Sequence, residues 1–356
     1  MLEFMGRIGV DADFWDGSAR LLAAAEECAG DASQMLGVLR ELPPVPLPGR
    51  GRTRSLLHLL SSIAAIDLTA ARVVEPHFDA AAILAQAGAE VGRGEVWGVF
   101  ASASPVAVRW VPEADSHSVA EGADAELTGA KRWCSLAAKL DRALVTASDS
   151  TGEWMFVVDL RQAAVVPREG GAPLTGLRGV PSGPVDLHSA AARAVGDDAG
   201  WYTSRPGFAW GGIAVAAVWF GGAVALGRAL ERAVGGREPD QLGLAWLGEA
   251  DRLLHGVQVQ LDDAADRIDA GSADWALAQR VRGNTASACW RLLALCGEAM
   301  GPGPLAFDAA HARRVADLTM YLSQHHGARD DAAHGQQLAA ALHRSSEAPS
   351  ISGVGS

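Results

Sequence analysis

The chain has 356 residues, a formal net charge of −12 and an ordinary globular composition, with 49% hydrophobic and 20% charged residues. This length is enough for a sizeable core divided over two or three packed units. The acidic balance, without any local run of Lys and Arg, argues against a nucleic-acid partner, because phosphate binding needs a basic face.

The first region, residues 1–93, has apolar residues at helical spacing, and we predict an N-terminal helical domain. Two short helices are predicted before a Pro-rich break, over residues 18–27 and 32–42. A third is predicted to end at Pro76, because proline interrupts the hydrogen bonding of a helix. A fourth short helix is predicted to follow over residues 80–89.

The second region, residues 94–198, consists of short β-prone runs separated by Gly, Asp, Ser and Pro, which is typical of a compact antiparallel β-domain. The predicted strands cover residues 96–100, 107–111, 125–127, 143–147 and 154–158. No strand alternates with a long helix, so a Rossmann-type parallel sheet is not expected.

The third region, residues 199–344, returns to helical spacing with short connections, which indicates a four-helix bundle. Its strongest apolar stripe runs from Leu247 to Ile268 in steps of three and four. The Ser- and Gly-rich residues 345–356 are predicted to be a disordered tail. Helices, a β-domain and a second set of helices together define an α+β fold class.

One segment of the third region, residues 206–227, carries no charged residue and is long enough to cross a bilayer. It is rich in Gly and Ala, and the flanking Arg205 and Arg228 are symmetric and give no orientation signal. A buried central helix is favoured over a membrane span.

Four cysteines stand at Cys28, Cys134, Cys289 and Cys296. The last two are predicted to lie on one helix, roughly 10 Å apart along its axis, which is too far for a disulfide. All four are interpreted as buried small hydrophobes in a reducing compartment. Since the first residues also lack the pattern of a signal peptide, a cytoplasmic location is expected.

One block in the second region carries a recognisable motif. The residues from Leu127 to Ser135 read Leu-Thr-Gly-Ala-Lys-Arg-Trp-Cys-Ser, and a Val-containing strand follows. This block resembles the acyl-CoA dehydrogenase family, which has Gly-x-Lys-x-Trp, an aliphatic residue and Ser or Thr at this place. The apolar residues 220–230 also resemble the first helix of the C-terminal bundle of that family. The resemblance implies the same three-part fold and an FAD-dependent oxidoreductase.

The resemblance also implies roles for individual residues. In this pattern Gly129 permits a hairpin turn, Trp133 covers the flavin ring, and Ser135 hydrogen-bonds the ring edge, with Cys134 in the same cofactor-binding segment. Ser102 and Ser104 stand where the β-domain of the family usually opens, and either of them, Ser102 first, can offer the flavin a hydroxyl.

The family also uses contacts between subunits. Arg237 and Gln241 fall where family members reach the cofactor pyrophosphate of a neighbouring subunit. The resemblance therefore implies a homodimer or homotetramer that completes each cofactor site across an interface.

A dehydrogenase of this kind needs a carboxylate to remove the α-proton of its substrate. In many family members this is a Glu after a Tyr, but here Tyr321 is followed by no carboxylate until Asp330. His325 and His326 are therefore the candidate catalytic residues. Two alternatives remain for this pair: a solvated helix end, and a metal site with His334, which the spacing supports poorly.

Three functions follow from these observations. The first is oxidation of an acyl substrate, such as a CoA thioester, with FAD and no metal. The second is a flavin-dependent monooxygenase of the same fold that uses His325. The third is a family member that has lost catalysis and acts as a partner subunit.

Overall fold

The computed structural model describes residues 13–111, 124–168, 174–236 and 238–347. The molecule is of the α+β class, and a seven-stranded sheet lies in the chain between two helical segments. This order of elements is the one that the sequence predicts.

The N-terminal helices are α1 (Ser18–Cys28), α2 (Ala32–Arg40), α3 (Thr53–Ile66) and α4 (Leu68–Gln86). Pro76 lies inside α4 and does not end a helix, so the sequence prediction was wrong at this point. The break comes earlier, at Asp67, whose backbone is extended and whose carboxylate accepts a hydrogen bond from Ala70 N at 3.1 Å. This cap starts a new helix. The helix continues through Pro76 and tolerates the loss of the one backbone hydrogen bond that a proline cannot donate.

The strands are β1 (Trp97–Phe100), β2 (Val106–Trp110), β3 (Ala125–Ser135), β4 (Arg142–Asp149), β5 (Gly152–Asp159), β6 (Val165–Pro167) and β7 (Ser182–Val195). They pair in the order β1-β4-β2-β3-β7-β5, with β6 beside β7. Since β5 also pairs with β4, a closed ring is formed by the strands β4, β2, β3, β7 and β5.

The expectation of an antiparallel sheet holds for most pairs but not for all. β1 runs parallel to β4 over four residue pairs, and β2 meets β4 in parallel at the single pair Ala107 and Ser148. The sheet is therefore mixed. Parallel neighbours arise here because a long connection, rather than a hairpin, separates each of these strands from β4.

The C-terminal helices are α5 (Trp201–Ser204), α6 (Gly207–Gly235), α7 (Gln241–Asp269), α8 (Trp275–Met300), α9 (Gly303–Phe307), α10 (Ala309–Leu322) and α11 (Ala328–Glu347). Asp240 and Asp274 cap α7 and α8 through backbone N–H groups, each at 2.8 Å. The first three residues of the predicted disordered tail belong to α11, and the others lie outside the described residues.

Helix α6 is the central element, as the sequence predicts for a buried helix. It is the one helix in the described part of the chain that is long and apolar enough to cross a membrane, yet 78% of its apolar window is buried inside the protein. It packs against α3, α4, α7, α8 and α10. At Gly221, an added Cβ would lie 2.1 Å from the carbonyl oxygen of Ser61 in α3, so glycine allows the two backbones to approach closely.

One hydrophobic cluster runs through both helical segments and the sheet. The four cysteines belong to it, and all are buried and free, as predicted. Burial raises the pKa of the thiols of Cys28 and Cys134 to about 12. It raises the pKa of Cys296 to about 11 and that of Cys289 still further. All four are therefore protonated thiols near neutral pH.

A polar joint fixes α4 against the sheet. The ring Nδ1 of His77 accepts a hydrogen bond from Trp97 N at 3.2 Å, at the first residue of β1. Burial lowers the pKa of His77 to about 4, so the ring stays neutral and keeps this acceptor. The joint holds the polar residues of α4 in a fixed position relative to the strands.

Candidate functional site

The Gly-x-Lys-x-Trp motif lies on β3, where the pairing with β7 is irregular. The register shifts between Lys131 and Cys134, and Trp133 adopts a positive φ of 59° within this bulge. As a result its side chain points outward and is 65% exposed. A bulge of this kind commonly re-aims one side chain at a functional surface.

Gly129 has a different role from the predicted hairpin turn. It lies within β3 opposite Val106, with a φ of 142°. An added Cβ would come within 2.4 Å of the carbonyl oxygen of Pro105. The glycine is therefore needed for the close approach of β2 to β3, and the hairpin prediction was wrong.

The loop after β1 is tied to the motif strand by two serines. The Ser102 hydroxyl donates to the carbonyl oxygen of Arg132 at 2.6 Å, and the Arg132 N–H donates to Ser104 Oγ at 3.1 Å. These bonds place Ser102 directly beside the backbone that carries Trp133. The structure thus brings together two of the residues that the resemblance assigns to the cofactor.

Ser135 lies at the end of β3, in a short chain of hydrogen bonds. Arg72 Nη2 donates to Ser135 Oγ at 3.4 Å, and Ser135 Oγ lies 2.8 Å from Ser182 Oγ, which in turn donates to the carbonyl oxygen of Val180. Ser135 is partly exposed, while the neighbouring Cys134 turns its thiol into the core. Only the backbone of Cys134 is therefore available to a cofactor.

We call the surface formed by Ser102, Ser104, Trp133 and Ser135 the Trp133 edge. Behind it lies a cluster of buried polar groups on α4 and α10. Arg72 Nη1 lies 3.4 Å from Glu75 Oε2, and the Tyr321 hydroxyl donates to the same oxygen at 3.4 Å. Burial raises the pKa of Glu75 to about 7, against the opposing effect of the Arg72 charge. The Glu75 side chain is only 8% exposed.

The cluster continues to α6 and α8 through aromatic contacts. The Trp219 ring meets the rings of Tyr321 and His325 edge-on, with centroids 6.1 Å apart in both cases. The Arg282 guanidinium lies 4.7 Å above Trp219 and donates to the carbonyl oxygen of Gly212 at 3.1 Å. Arg282 is thereby fixed without a direct ion pair to either carboxylate of α4.

A cavity of about 210 Å³ opens beside this cluster. Its lining combines charged and aromatic side chains, and includes Glu75, Asp79, Tyr202, Arg205, Trp275 and Arg282. A Cβ at Gly211 would lie 2.9 Å from Asp79 Oδ1, so this glycine leaves room for the carboxylate. Burial raises the pKa of Asp79 above its ordinary value, and Arg205 opposes that shift.

The two predicted catalytic histidines lie in different environments. The side chain of His325 is 11% exposed, its Nδ1 accepts from Gly327 N at 3.1 Å, and its Nε2 is 3.7 Å from Asp330 Oδ2. Burial lowers the pKa of His325 below its ordinary value, so the ring is neutral near pH 7. The His326 side chain is 66% exposed and faces Asp330. Only His325 belongs to the buried cluster.

The predicted metal alternative finds no geometric support. Among the residues that the structure describes, no three His, Cys, Asp or Glu side chains are arranged to hold a metal ion.

Of the two predicted pyrophosphate contacts, Gln241 lies among the described residues. Gln241 is the exposed first residue of α7, which packs against α3, α6 and α8. Arg237 lies outside the described residues. The contact of Arg237 and Gln241 with the cofactor of a neighbouring subunit therefore stays a prediction.

Sequence reasoning missed most of the buried polar cluster. Glu75 and Asp79 are four residues apart on α4, which places two carboxylates on one helical face, and that spacing was the available signal. Trp219, Arg282 and Arg205 come from segments far away in sequence. No local pattern joins them.

No protein-family model matches the sequence, and no curated protein is similar to it at a significant level. Solved structures do match the fold. Butyryl-CoA dehydrogenase from Megasphaera elsdenii superposes with a TM-score of 0.74 at 13% identity, over 92% of this chain and 100% of that chain. KijD3, solved with FMN and a dTDP-linked amino keto sugar, gives 0.72 at 15% identity, over 92% and 91%.

A third match is the dibenzothiophene monooxygenase TdsC from Paenibacillus sp. A11-2. Its TM-score is 0.69 at 17% identity, over 91% of this chain and 96% of that chain. The three proteins share one architecture along almost the whole chain. This protein therefore has the fold of the acyl-CoA dehydrogenases, and the resemblance that its sequence predicts is confirmed at the level of the fold.

Proposed function

We propose that this protein is a flavin-dependent oxidoreductase that binds FAD against the Trp133 edge and oxidises an acyl substrate such as a CoA thioester. The observation that carries the proposal is the outward position of Trp133. The Trp133 side chain is 65% exposed on a bulge with φ of 59°, so most of its ring is not covered by the rest of the chain. It is suited to cover a planar ring.

The remaining residues of the edge fit a flavin. Ser102 is hydrogen-bonded to the backbone of Arg132, and Ser135 lies two residues after Trp133, so their hydroxyls would supply polar contacts for the edge of the ring. Arg72 orients Ser135 from behind. When bound, the flavin accepts a hydride or, in its reduced form, activates oxygen.

Several structures with this fold contain a flavin. KijD3 and TdsC were solved with FMN, and XiaF from Streptomyces sp. with FADH2. The choice of FAD over FMN rests on Arg237 and Gln241, which would reach the pyrophosphate of the cofactor in a neighbouring subunit. The proposal therefore includes a homodimer or homotetramer.

A second candidate is a flavin-dependent monooxygenase, and the position of His325 favours it. His325 is nearly buried and neutral, and it packs on Trp219 in the polar cluster. It can accept a proton from a substrate or return one. No carboxylate follows Tyr321 before Asp330 to perform the same task within this segment.

The visible absorbance spectrum of the purified protein tests the proposal. A flavin band, with released FAD equimolar to the chain after denaturation, is the expected result, and released FMN would correct the choice of cofactor. Bleaching of the band by butyryl-CoA without oxygen supports the dehydrogenase. Turnover only with oxygen and externally reduced flavin supports the monooxygenase. Protein that takes up neither FAD nor FMN would contradict both and favour a non-catalytic partner subunit.

A further inference from the structure

We propose that Glu75 is the base of this site: its carboxylate removes the α-proton of the acyl substrate. The inference rests on the proposed oxidation of an acyl compound. It names a residue from α4 for the task of the carboxylate that is missing directly after Tyr321, in place of the predicted His325. The starting observation is that the hydroxyl of Tyr321, which has no carboxylate after it until Asp330, donates a hydrogen bond to the Glu75 carboxylate.

The Glu75 carboxylate is held on one side only. Arg72 Nη1 and the Tyr321 hydroxyl both contact Oε2, each at 3.4 Å. Among the described residues, no hydrogen bond or ion pair reaches Oε1. Because Glu75 lines the cavity of about 210 Å³, an oxygen with a free lone pair is available to a ligand there.

The position of Glu75 relative to the Trp133 edge is also fixed. One guanidinium nitrogen of Arg72 contacts Glu75, and the other donates to Ser135 Oγ at 3.4 Å. Glu75 is therefore one arginine side chain away from the serine that ends the motif strand. Glu75 thus lines the cavity and is also linked, through Arg72, to the surface proposed for the flavin.

The charges around Glu75 suit a base that works near neutral pH. Arg72 and Asp79 face it from α4, Arg282 from α8 and the Tyr321 hydroxyl from α10. Desolvation strengthens the carboxylate as a base, while the guanidinium of Arg72 keeps an ionised fraction available. Both protonation states are accessible at physiological pH, which a group that first accepts and later releases a proton requires.

The bond between the α-carbon and its hydrogen breaks, and a new O–H bond forms at Glu75 Oε1. The electron pair of the broken bond stays on the α-carbon and is delocalised into the thioester carbonyl. Arg72 and Arg282 both lie near Glu75, and their positive charges would stabilise negative charge that develops on a substrate beside it.

His325 is the competing assignment for the base. Its Nδ1 accepts a backbone N–H from Gly327, and its Nε2 points to Asp330 at 3.7 Å. It is not among the residues that line the cavity. Glu75 therefore has the better access to a ligand, although both residues belong to the same cluster.

Deuterium exchange at the α-carbon tests the assignment. The flavin-loaded protein is incubated anaerobically with butyryl-CoA in deuterated buffer, and α-deuterium in the recovered thioester is measured by mass spectrometry alongside bleaching of the flavin. We expect both signals in the wild type and a loss of at least about 100-fold in Glu75→Gln. Glu95→Gln is the matched control, since Glu95 is also paired with an arginine, Arg142, but does not line the cavity. It should exchange at the wild-type rate.

Two further measurements keep the outcome interpretable. Circular dichroism and flavin content show whether Glu75→Gln is folded and loaded. In the wild type, the exchange rate should rise with pH and level off above a midpoint near the pKa of Glu75, about 7. A folded, loaded Glu75→Gln variant that still exchanges would overturn the proposal, as would loss of exchange in His325→Gln alone.

The failure of this inference is distinguishable from failure of the proposed function. A flavin-loaded wild type that neither exchanges the α-proton nor is bleached overturns the role of Glu75 and leaves the flavoprotein standing. A protein that takes up no flavin contradicts the proposed function itself, and the spectrum reports this before any thioester is added.

Discussion

Trp133 combines a strained backbone with a largely exposed side chain. A positive φ is unfavourable for a bulky residue, and in this case the bulge in β3 imposes it. Such strain persists where the surrounding structure determines it, and it is concentrated at functional sites. Trp133 can therefore be removed with little loss of packing.

For this reason we expect Trp133→Ala to weaken flavin binding without unfolding the protein. Loss of a stacked aromatic contact of roughly 0.5–1.5 kcal/mol corresponds to a Kd raised by about 2- to 12-fold. Trp290→Ala is the control, because Trp290 is 44% exposed on α8, away from the Trp133 edge. Flavin titration by fluorescence quenching measures the affinity, and an unchanged Kd in Trp133→Ala would contradict the position proposed for the cofactor.

The free energy of unfolding should depend on pH because Glu75 titrates at a different pH in the folded and unfolded states. Its pKa is raised from 4.5 to about 7 in the folded state, so the folded protein holds this proton more tightly than the unfolded chain. The corresponding stabilisation is complete below about pH 4.5 and is lost as the pH rises through about 7. Full ionisation costs roughly 3 kcal/mol.

The variant Glu75→Gln cannot ionise and avoids this loss. We expect its free energy of unfolding, relative to the wild type, to increase by roughly 2–3 kcal/mol between about pH 4.5 and about pH 8. Urea denaturation at a series of pH values measures the difference. A constant difference over this range would show that Glu75 does not titrate there.

The residues of the site differ in how readily the sequence alone predicts them. Trp133 and Ser135 stand in a contiguous motif, and Ser102 was placed by its position at the start of the β-region. The Glu75 contact joins residues 246 positions apart, from Glu75 to Tyr321, and no local spacing reveals it. Carboxylates on a helix face are usually solvated, so burial is what distinguishes Glu75.

At the scale of elements, the packing of α3 against α6 depends on a glycine. The Ser61 carbonyl oxygen occupies the space that a side chain at Gly221 would need. We expect Gly221→Ala to destabilise the protein by about 1–3 kcal/mol, because the two helices must move apart. Equilibrium denaturation measures this loss.

Gly248 on α7 supplies the matched control. It is exposed, and an added Cβ there would meet nothing within 4 Å. Gly248→Ala should leave stability unchanged or raise it by up to about 1 kcal/mol, since alanine favours the helix. If the two variants had the same stability, close approach at Gly221 would not explain the glycine.

The helices were more predictable than the strands. Long amphipathic stripes, such as the one in α7, gave the C-terminal helices, while β6 and β7 escaped prediction. β7 is the longest strand and pairs with β3, β5 and β6, but its sequence is rich in Ala and Ser and lacks a regular alternation. Its pairing partners, rather than its own propensity, make it a strand.

The whole molecule has an exposed apolar area at the start of α7. Leu242 and Leu244 are 61% and 58% exposed and lie beside Gln241, the residue assigned to a neighbouring cofactor. Exposed leucines at this place are suited to an interface between subunits. We expect sedimentation to show a dimer or tetramer of the wild type.

Charge at this surface should break the assembly. The double variant Leu242→Lys and Leu244→Lys should sediment as a smaller species and bind FAD more weakly, because each cofactor site would lose its contribution from the partner. Val166→Lys, at a 43% exposed position in β6, is the control. A wild type that is monomeric at all concentrations would contradict the proposed completion of the site across an interface.

The burial of all four cysteines has a practical consequence for chemical labelling. The thiols are covered and their pKa values are raised, so reagents that require an accessible thiolate should leave the folded protein unmodified. A cysteine introduced on the surface, for example at the 93% exposed Phe307, would then be the single reactive site. The native chain thus already provides an unreactive background for placing a spectroscopic probe, without first replacing any of its own cysteines.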